Sequence, residues 1–595
     1  MTTIVLHTGV YIYAIPLSFV DESAFLLSAN ANTTSDIGTD PTLHIQSNVT
    51  VVANTVATVA GVTIGMAWPN SGKWVVIDDV GYLRVTSNVA QGAAYGFYAN
   101  DWSPNFANDG HLEVTARGLA EGVYSASYDG ITFENTGTFK VTATEGQAVG
   151  VADYNGVYFR NTGLLDVYGR DGAQGLYAGD GSRFYNSGTI RVADSNPGFD
   201  SVAVTSTSAN DRQFVNDGWI QGDVAVSYHP GWTFGGPQHV VNNGTLVGKV
   251  YLDNAKISLL NTGMIQGDVT LGDEADIYDG HAGHLVGAMH AGQGDDSLVG
   301  GADAETFSGD AGNDTISGGA GDDLIEGGRD SDHLDGGAGL DTVTYALGTA
   351  ALNLDLQAGT ASSSGVDTLS NFERVVGSAF ADTISGSTGG DTLSGGAGDD
   401  QILGREGNDS IDGGSGANYL RGDEGNDLLQ GGADFDDING NMGNDTAHGG
   451  ASDDWVVGGK DNDLLFGDDG GDVVYGNIGN DTCDGGTGAD LIRGGQDNDV
   501  LTGGAGDDWL SGDRGSDTIT GGSGADIFHT FGEAGADWVT DFNLAQGDRV
   551  MLDPGTAYIV AQSGPDVVIN MVGLGYMVLQ NVQLSELHGD WIFGN

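Results

Sequence analysis

In the C-terminal half of the chain, apolar and polar positions alternate with a period of nine. From Gly377 to His529 the sequence reads as seventeen uninterrupted nine-residue units, such as GGAGDDQIL (395–403), GDEGNDLLQ (422–430) and GGAGDDWLS (503–511). Six further units run from Ala291 to Thr344, among them GDAGNDTIS (309–317) and GGAGDDLIE (318–326). Each unit opens on a glycine-rich turn and closes on a short alternating segment. The eighth position is apolar nearly throughout, so the pattern predicts a short strand with the eighth side chain inward and its neighbours outward. Cys483 falls at an eighth position and reads as core. A flexible glycine-rich linker would not keep phase over this length.

The N-terminal half carries a looser period. FANDGHLEV (106–114), FENTGTFKV (133–141), FRNTGLLDV (159–167), FYNSGTIRV (184–192), FVNDGWIQGDV (214–224), VVNNGTLVGKV (240–250) and LLNTGMIQGDV (259–269) share apolar-x-Asn-x-Gly followed by alternating apolar residues. Asn and Gly both tolerate the backbone of a sharp bend, so each unit predicts a turn feeding a half-buried strand. One such turn every 19 to 30 residues predicts a coil of a parallel β-helix with Asn108, Asn135, Asn161, Asn186, Asn216, Asn242 and Asn261 stacked as a ladder. Residues 1–72 are rich in Thr and Asn without a clear repeat, and read as a cap or an attachment region.

Charge changes this picture. The chain has 83 acidic and 19 basic residues in 595, for a formal net charge of −64. Residues 1–280 hold 28 acidic and 11 basic side chains, and the remainder holds 55 and 8. That balance argues against nucleic acid as a partner, because binding a polyanion needs clustered Lys and Arg. The acids are not a solvated tail, since they keep phase with apolar positions. The sixth position of the nonads is Asp in sixteen of the seventeen later units, with Asn418 the exception, and Glu305 departs in the earlier block. Same-side units stacked at the strand spacing of about 4.8 Å would set these carboxylates repelling by roughly 0.8 kcal/mol per neighbour even in water. A hard dication bound by oxygen removes that repulsion. The single cysteine excludes an intrachain disulfide framework, and no run of about 18 apolar residues reads as a membrane-spanning helix.

The nonads resemble the RTX, or hemolysin-type, calcium-binding repeat, GGxGxDxUx. Together with the parallel β-helix read from the Asn-x-Gly units (73–290), the resemblance implies an all-β chain: a first nonad block (291–344), a strand-turn-strand insertion (345–376), a second block (377–529) forming a parallel β-roll, and a β-rich cap (530–595). It implies Ca²⁺ bound between successive coils by sixth-position carboxylates and turn carbonyls. The implied ligands are Asp296, Asp314, Asp323, Asp332 and Asp341 in the first block. In the second they are Asp382, Asp391, Asp400, Asp409, Asp427, Asp436, Asp445, Asp454, Asp463, Asp472, Asp481, Asp490, Asp499, Asp508, Asp517 and Asp526. The segment around Asp537, Asp541-Phe542 and Gly547-Asp548 is similar to the one that closes RTX domains, which adds Asp537 and Asp541 as ligands. In that family this region adjoins an uncleaved signal for type I secretion, and no Lys or Arg precedes Lys73, so no basic n-region of a signal peptide is present. Secretion to the cell exterior or surface follows as the expectation.

Catalytic signatures are sparse. There is no HExxH, and no Ser has Gly two residues to either side. His111, Arg117, Tyr154, Arg160 and Arg170 could serve a polysaccharide lyase or epimerase on a β-helix but form no compact motif, and solvated coils explain them equally well. His281, His284 and His290 read as a solvated linker. A toxin or pore-former is disfavoured by the lack of an apolar helical segment. The expected function is therefore not enzymatic: a calcium-dependent S-layer, matrix or adhesin component that self-associates and contacts cell-surface polysaccharide or lipopolysaccharide. The alternative is a lyase- or epimerase-like enzyme with an RTX export module. Tyr419, Trp455, Tyr475 and Trp509 share one parity of the nonads and are expected on one outer face.

Overall fold

A computed structural model describes residues 26–29, 43–45, 48–53, 58–64, 74–77, 82–87, 93–99, 105–125, 131–179, 182–196, 198–206, 212–228, 238–252, 255–572 and 575–594. The regular secondary structure of the described chain is all strand apart from one 3-10 turn at Leu584–Glu586, and no helix in it is long and apolar enough to cross a membrane. It divides into two compact units, Met1–Asp323 and Leu324–Asn595. The division falls inside the first nonad block rather than before it.

The first unit is a parallel β-helix with three strands in each full coil. The strand ending at the repeat Asn stacks on its counterparts, as Ile131–Asn135 pairs in parallel with Val157–Asn161. The strand after the Asn-x-Gly turn does the same, Thr138–Ala143 on Leu164–Gly169. A third ladder runs through Ala93–Ala99, Ala120–Ser125, Ala148–Asp153 and Ala173–Ala178. Parallel pairing of Leu43–Ile45 with Trp74–Ile77, and of Asn48–Ala53 with Tyr82–Ser87, carries the coils N-terminal of residue 73. A strand-forming segment there stacks without the Asn-x-Gly signature, because strand pairing needs only the backbone.

The turn residues have separate physical duties. Each repeat Asn is fully buried and donates its Nδ2 to the Oδ1 of the next, at 2.7–2.8 Å from Asn108 to Asn261. The Gly two residues later is required by close approach: a Cβ on Gly163 would overlap the carbonyl oxygen of Gly137. Inside, Phe106, Phe133, Phe159, Phe184 and Phe214 stack in a column with centroids 4.5–5.5 Å apart. Buried aromatic stacks add to the area they bury, at about 0.5–1.5 kcal/mol per pair.

In the second unit two nonads make one coil, and residues 18 apart pair in parallel, as Gln401 with Tyr419 and Ser410 with Leu428. Eighth-position side chains fill the interior: Ile402, Leu465, Ile492 and Leu510 are fully buried, and so is Cys483 at 1% exposure. The second turn position is left-handed at Asp423, Asn441, Asp468 and Asn477, which explains its bias toward Gly, Asn and Asp. Arg405 also adopts it, with φ 83°, and its guanidinium bonds both oxygens of Asp355. That pair ties the insertion to the roll. Within the insertion, Asn353–Asp355, Thr360–Ser362 and Val366–Ser370 form an antiparallel meander whose outer strands rejoin the parallel stack. The cap is a second antiparallel meander, Tyr558–Ser563, Asp566–Met571 and Tyr576–Leu579.

His284–Val286 and Ala288–His290 are strands in the coil stack, so these histidines belong to no linker. The apolar alternation around Leu285 and Met289 carries the stack across this stretch.

Candidate metal centres between the nonad turns

The sixth-position residues form two rows in the second unit, one per parity. From residue 400 to 526 each is 0–3% exposed. The amide N–H of one donates to the side-chain Oδ1 of the residue 18 positions on: Asp445 to Asp463, Asp463 to Asp481 and Asp481 to Asp499, each at 2.9 Å. The other row repeats this from Asp382 through Asp400, Asn418, Asp436, Asp454, Asp472, Asp490 and Asp508 to Asp526. One oxygen of each carboxylate is thus used by the fold.

The other oxygen is not. Oδ2 of Asp400, Asp409, Asp427, Asp436, Asp445, Asp454, Asp463, Asp472, Asp481, Asp490, Asp499, Asp508, Asp517 and Asp526 is buried without a hydrogen-bond partner, as is that of Asp296 in the first unit. Each of those in the second unit faces the first-position glycine of its own nonad. A Cβ on Gly449 would lie 2.7 Å from Asp454 Oδ2 and 2.7 Å from the Gly467 carbonyl oxygen. Carboxylate and carbonyl oxygens therefore converge on a space that only glycine leaves open. Among the described residues no three His, Cys, Asp or Glu side chains cluster as a metal site. Carboxylate and turn carbonyl oxygens together make an all-oxygen set that suits a hard cation such as Ca²⁺.

The electrostatics agree. Burial, reinforced by the carboxylates one coil away, pushes Asp463 up to about 8 and Asp409, Asp454, Asp499 and Asp508 up to about 7. No Lys or Arg is among the causes at these five positions. A bound dication would neutralise the rows and let the carboxylates ionise.

The implied ligands are not equivalent. Asp382 and Asp391 are satisfied internally, since Ser378 and Ser387 donate their amides to Oδ2 at 2.6 Å and their hydroxyls to Oδ1 at 2.7 and 3.2 Å. Asp541 accepts the amides of Gly521 and Gly522 on its two oxygens, which makes it a turn brace. Asp537 does extend a row: it is 1% exposed and its Oδ1 has no partner. Asn418 sets an amide where its neighbours have a carboxylate, and its Nδ2 donates to the Gly416 carbonyl. Asp314, Asp323, Asp332 and Asp341 are buried in sixth positions, with Asp323 accepting the Glu305 amide and Asp332 donating its own to Asp367.

Several row members escape the nonad phase. Asp276 accepts the Ile257 and Gly272 amides and donates to Asp296. Asp548 ends one row by accepting from Asp526 and Asn543. Their signal was an Asp about one coil from the last phased one, at spacings of 20 and 22 rather than 18. A further row, Asn408, Asn426, Asn444, Asn462, Asn480 and Asn498, occupies the fifth position of alternate nonads, each side chain accepting the next coil's amide.

Other candidates do not converge. Arg117 pairs with Glu145, Arg170 lies by Asp171, and Arg160 lies over Tyr185. His281, His284 and His290 each face a different aspartate, Asp279, Asp303 and Asp310. Ser511, His529 and Asp553 are in line, at 3.1 and 3.2 Å, but Ser511 is fully buried and its hydroxyl also contacts Asp513 at 2.8 Å. No nucleophile is presented to solvent there.

Comparison with known proteins bears on the same segment. The RTX calcium-binding nonapeptide repeat, in its four-copy form, matches residues 289–316, 308–343, 376–411, 412–447, 448–483, 475–510, 484–519 and 502–539. No curated protein matches the chain. Among solved structures it is similar to the extracellular lipase LipA from Serratia marcescens, 20% identical over 36% of this chain and 39% of that one, with a TM-score of 0.17. A similarity of that size assigns neither fold nor activity. The repeat match and the carboxylate rows cover the same residues: between residues 289 and 539 this chain carries RTX calcium-binding nonapeptide repeats, and Ca²⁺ is the ion they bind.

Proposed function

We propose that this protein is a secreted structural component of the bacterial cell surface, an S-layer, matrix or adhesin protein whose folding and assembly are driven by Ca²⁺ outside the cell. The carrying observation is the pair of buried carboxylate rows with unbonded Oδ2 atoms. Each such oxygen, left without a partner, costs on the order of 1–3 kcal/mol. The roll therefore needs abundant Ca²⁺, which describes the exterior of a cell and not its cytosol. RTX repeats are typical of type I secreted extracellular proteins, which supports the same placement.

Exposed apolar side chains on both faces of the roll support self-association. Tyr419, Trp455 and Trp509 lie in one register row of a single sheet, with Asp437, Val473 and Leu491 between them, and Tyr475 lies on the same sheet in the row beside. The opposite sheet alternates Thr392, Ser410, Thr446, Thr482 and Thr518 with the exposed Leu428, Leu464 and Val500 at the corresponding positions. Trp455 is 45% exposed, while Trp509 is partly covered by stacking on His529. The reading assigns no chemical step to the chain.

The test is made on producing cells grown in millimolar Ca²⁺. The protein should be found on the surface, leave it on chelation and return when Ca²⁺ is restored. A cytosolic location, or a surface layer indifferent to chelator, would sink the reading. Depolymerisation of a polysaccharide by the purified protein would favour the lyase alternative, and a changed uronate composition at constant chain length the epimerase one.

A further inference from the structure

The third strand ladder of the β-helix carries a cluster unrelated to calcium. Tyr95, Tyr124, Tyr154 and Tyr177 form a continuous run of ring contacts, with centroids 5.9, 6.2 and 5.2 Å apart. The rings come from successive coils, so the run follows the helix axis in steps of about 4.8 Å. Tyr154 is 55% exposed.

Glu121 lies among them. It is one coil from Tyr95 in strand register, three residues before Tyr124, and close enough to Tyr154 for its charge to be felt there. It is only 9% exposed, and its Oε2 is buried with no hydrogen-bond partner. The register row reads Tyr95, Glu121, Val149, Gln174 and Val202. Glu121 is the one carboxylate in that row, and its neighbour shows that valine fits. Tyrosine stacking alone explains the rings but leaves the acid without a reason, since a buried unpaired acceptor weakens a fold.

Aromatic rings set along an axis, each tilted 57–69° to the next, beside a hydrogen-bond acceptor held dry, match a chain of pyranose rings. The sugar C–H faces stack on the rings and a hydroxyl donates to the carboxylate. An anionic polymer fits poorly, because no Lys or Arg is among these residues and residues 1–280 carry 28 acids against 11 bases. We propose that Tyr95, Tyr124, Tyr154 and Tyr177, with Glu121, form a binding site for a neutral polysaccharide lying along the coil axis. This deepens the surface reading by naming a ligand class, but it concerns the purified β-helix face and not cellular location.

The experiment is native affinity electrophoresis of the full chain in Ca²⁺. Gels contain hydroxyethylcellulose, laminarin or dextran as neutral polymers, or alginate as an anionic one. At least one neutral gel should retard the protein and alginate should not. Tyr154→Ala and Glu121→Val should each weaken that retardation at least tenfold in apparent Kd, with unchanged circular dichroism. Val occupies the next position of the same row, so the second variant keeps the packing if the first does not fold. Free migration in every neutral gel, retardation of both variants equal to that of the unsubstituted protein, or stronger retardation by alginate would overturn the proposal. None of these outcomes alters the chelator test on cells.

Discussion

The contrast between asparagine and aspartate decides how each ladder is held. An amide both donates and accepts, so Asn135 receives from Asn108 and gives to Asn161 without help. A carboxylate only accepts, so Asp463 takes the Asp445 amide on one oxygen and leaves the other needing a cation. Glu121 is the acid in the first unit where burial alone is the cause of a pKa raised to about 7. Its folded pKa lies above its unfolded one, so its stabilising contribution is complete below about pH 4.3. That contribution is lost as pH rises through about 7, a loss of roughly 3 kcal/mol. At fixed Ca²⁺, Glu121→Gln should raise the Tm of the β-helix at pH 8 and flatten its decline between pH 5 and 8. Asp153, also raised to about 7 by burial, titrates in the same window in both proteins and cancels in the comparison. Identical Tm–pH curves for the two proteins would contradict the assignment.

A single nonad shows which turns need the ion. In 386–394 the second position is Ser387, whose amide and hydroxyl occupy both oxygens of Asp391. In 458–466 that position is Gly459, and Asp463 Oδ2 stays bare. Asp463→Ala should therefore lose at least one Ca²⁺ per chain and move the calcium midpoint upward. Asp391→Ala should leave the stoichiometry unchanged and cost only local stability, about 1–3 kcal/mol. Atomic absorption on desalted protein, paired with a calorimetric titration, separates the two. Equal losses of bound Ca²⁺ would show that the serine caps do not replace the ion.

At the scale of the molecule the two ladders respond differently to calcium removal. The nonad roll should lose its β-structure in chelator and regain it with a midpoint of roughly 10⁻⁴–10⁻³ M Ca²⁺. Mg²⁺ should substitute poorly, because it demands tighter octahedral geometry. The coils joined by Asn108 to Asn261 should persist. In chelator, limited proteolysis should leave an N-terminal fragment ending near the first nonads, and circular dichroism should retain part of its β signal. Loss of all β-structure, or of none, would break the distinction between amide and carboxylate ladders.

Much of this was legible in residues alone. Period nine placed the eighth side chains inward, Cys483 included, and put sixth-position carboxylates one coil apart, because a strand alternates and a coil repeats. The Asn-x-Gly period likewise announced the β-helix and its ladder. Three things depended on the folded chain. The number of strands per coil did, since the third ladder at Ala120–Ser125 has no motif. So did the hydrogen bonds that occupy both oxygens of Asp382, Asp391 and Asp541, because donors in a nearby serine or in a glycine pair one coil away carry no period. Glu121 among the tyrosines was the third: its row joins residues 25 to 28 positions apart, and only coil register brings them side by side. Local chemistry repeats in the chain and can be read from it, whereas burial and partnership between coils belong to the packed structure.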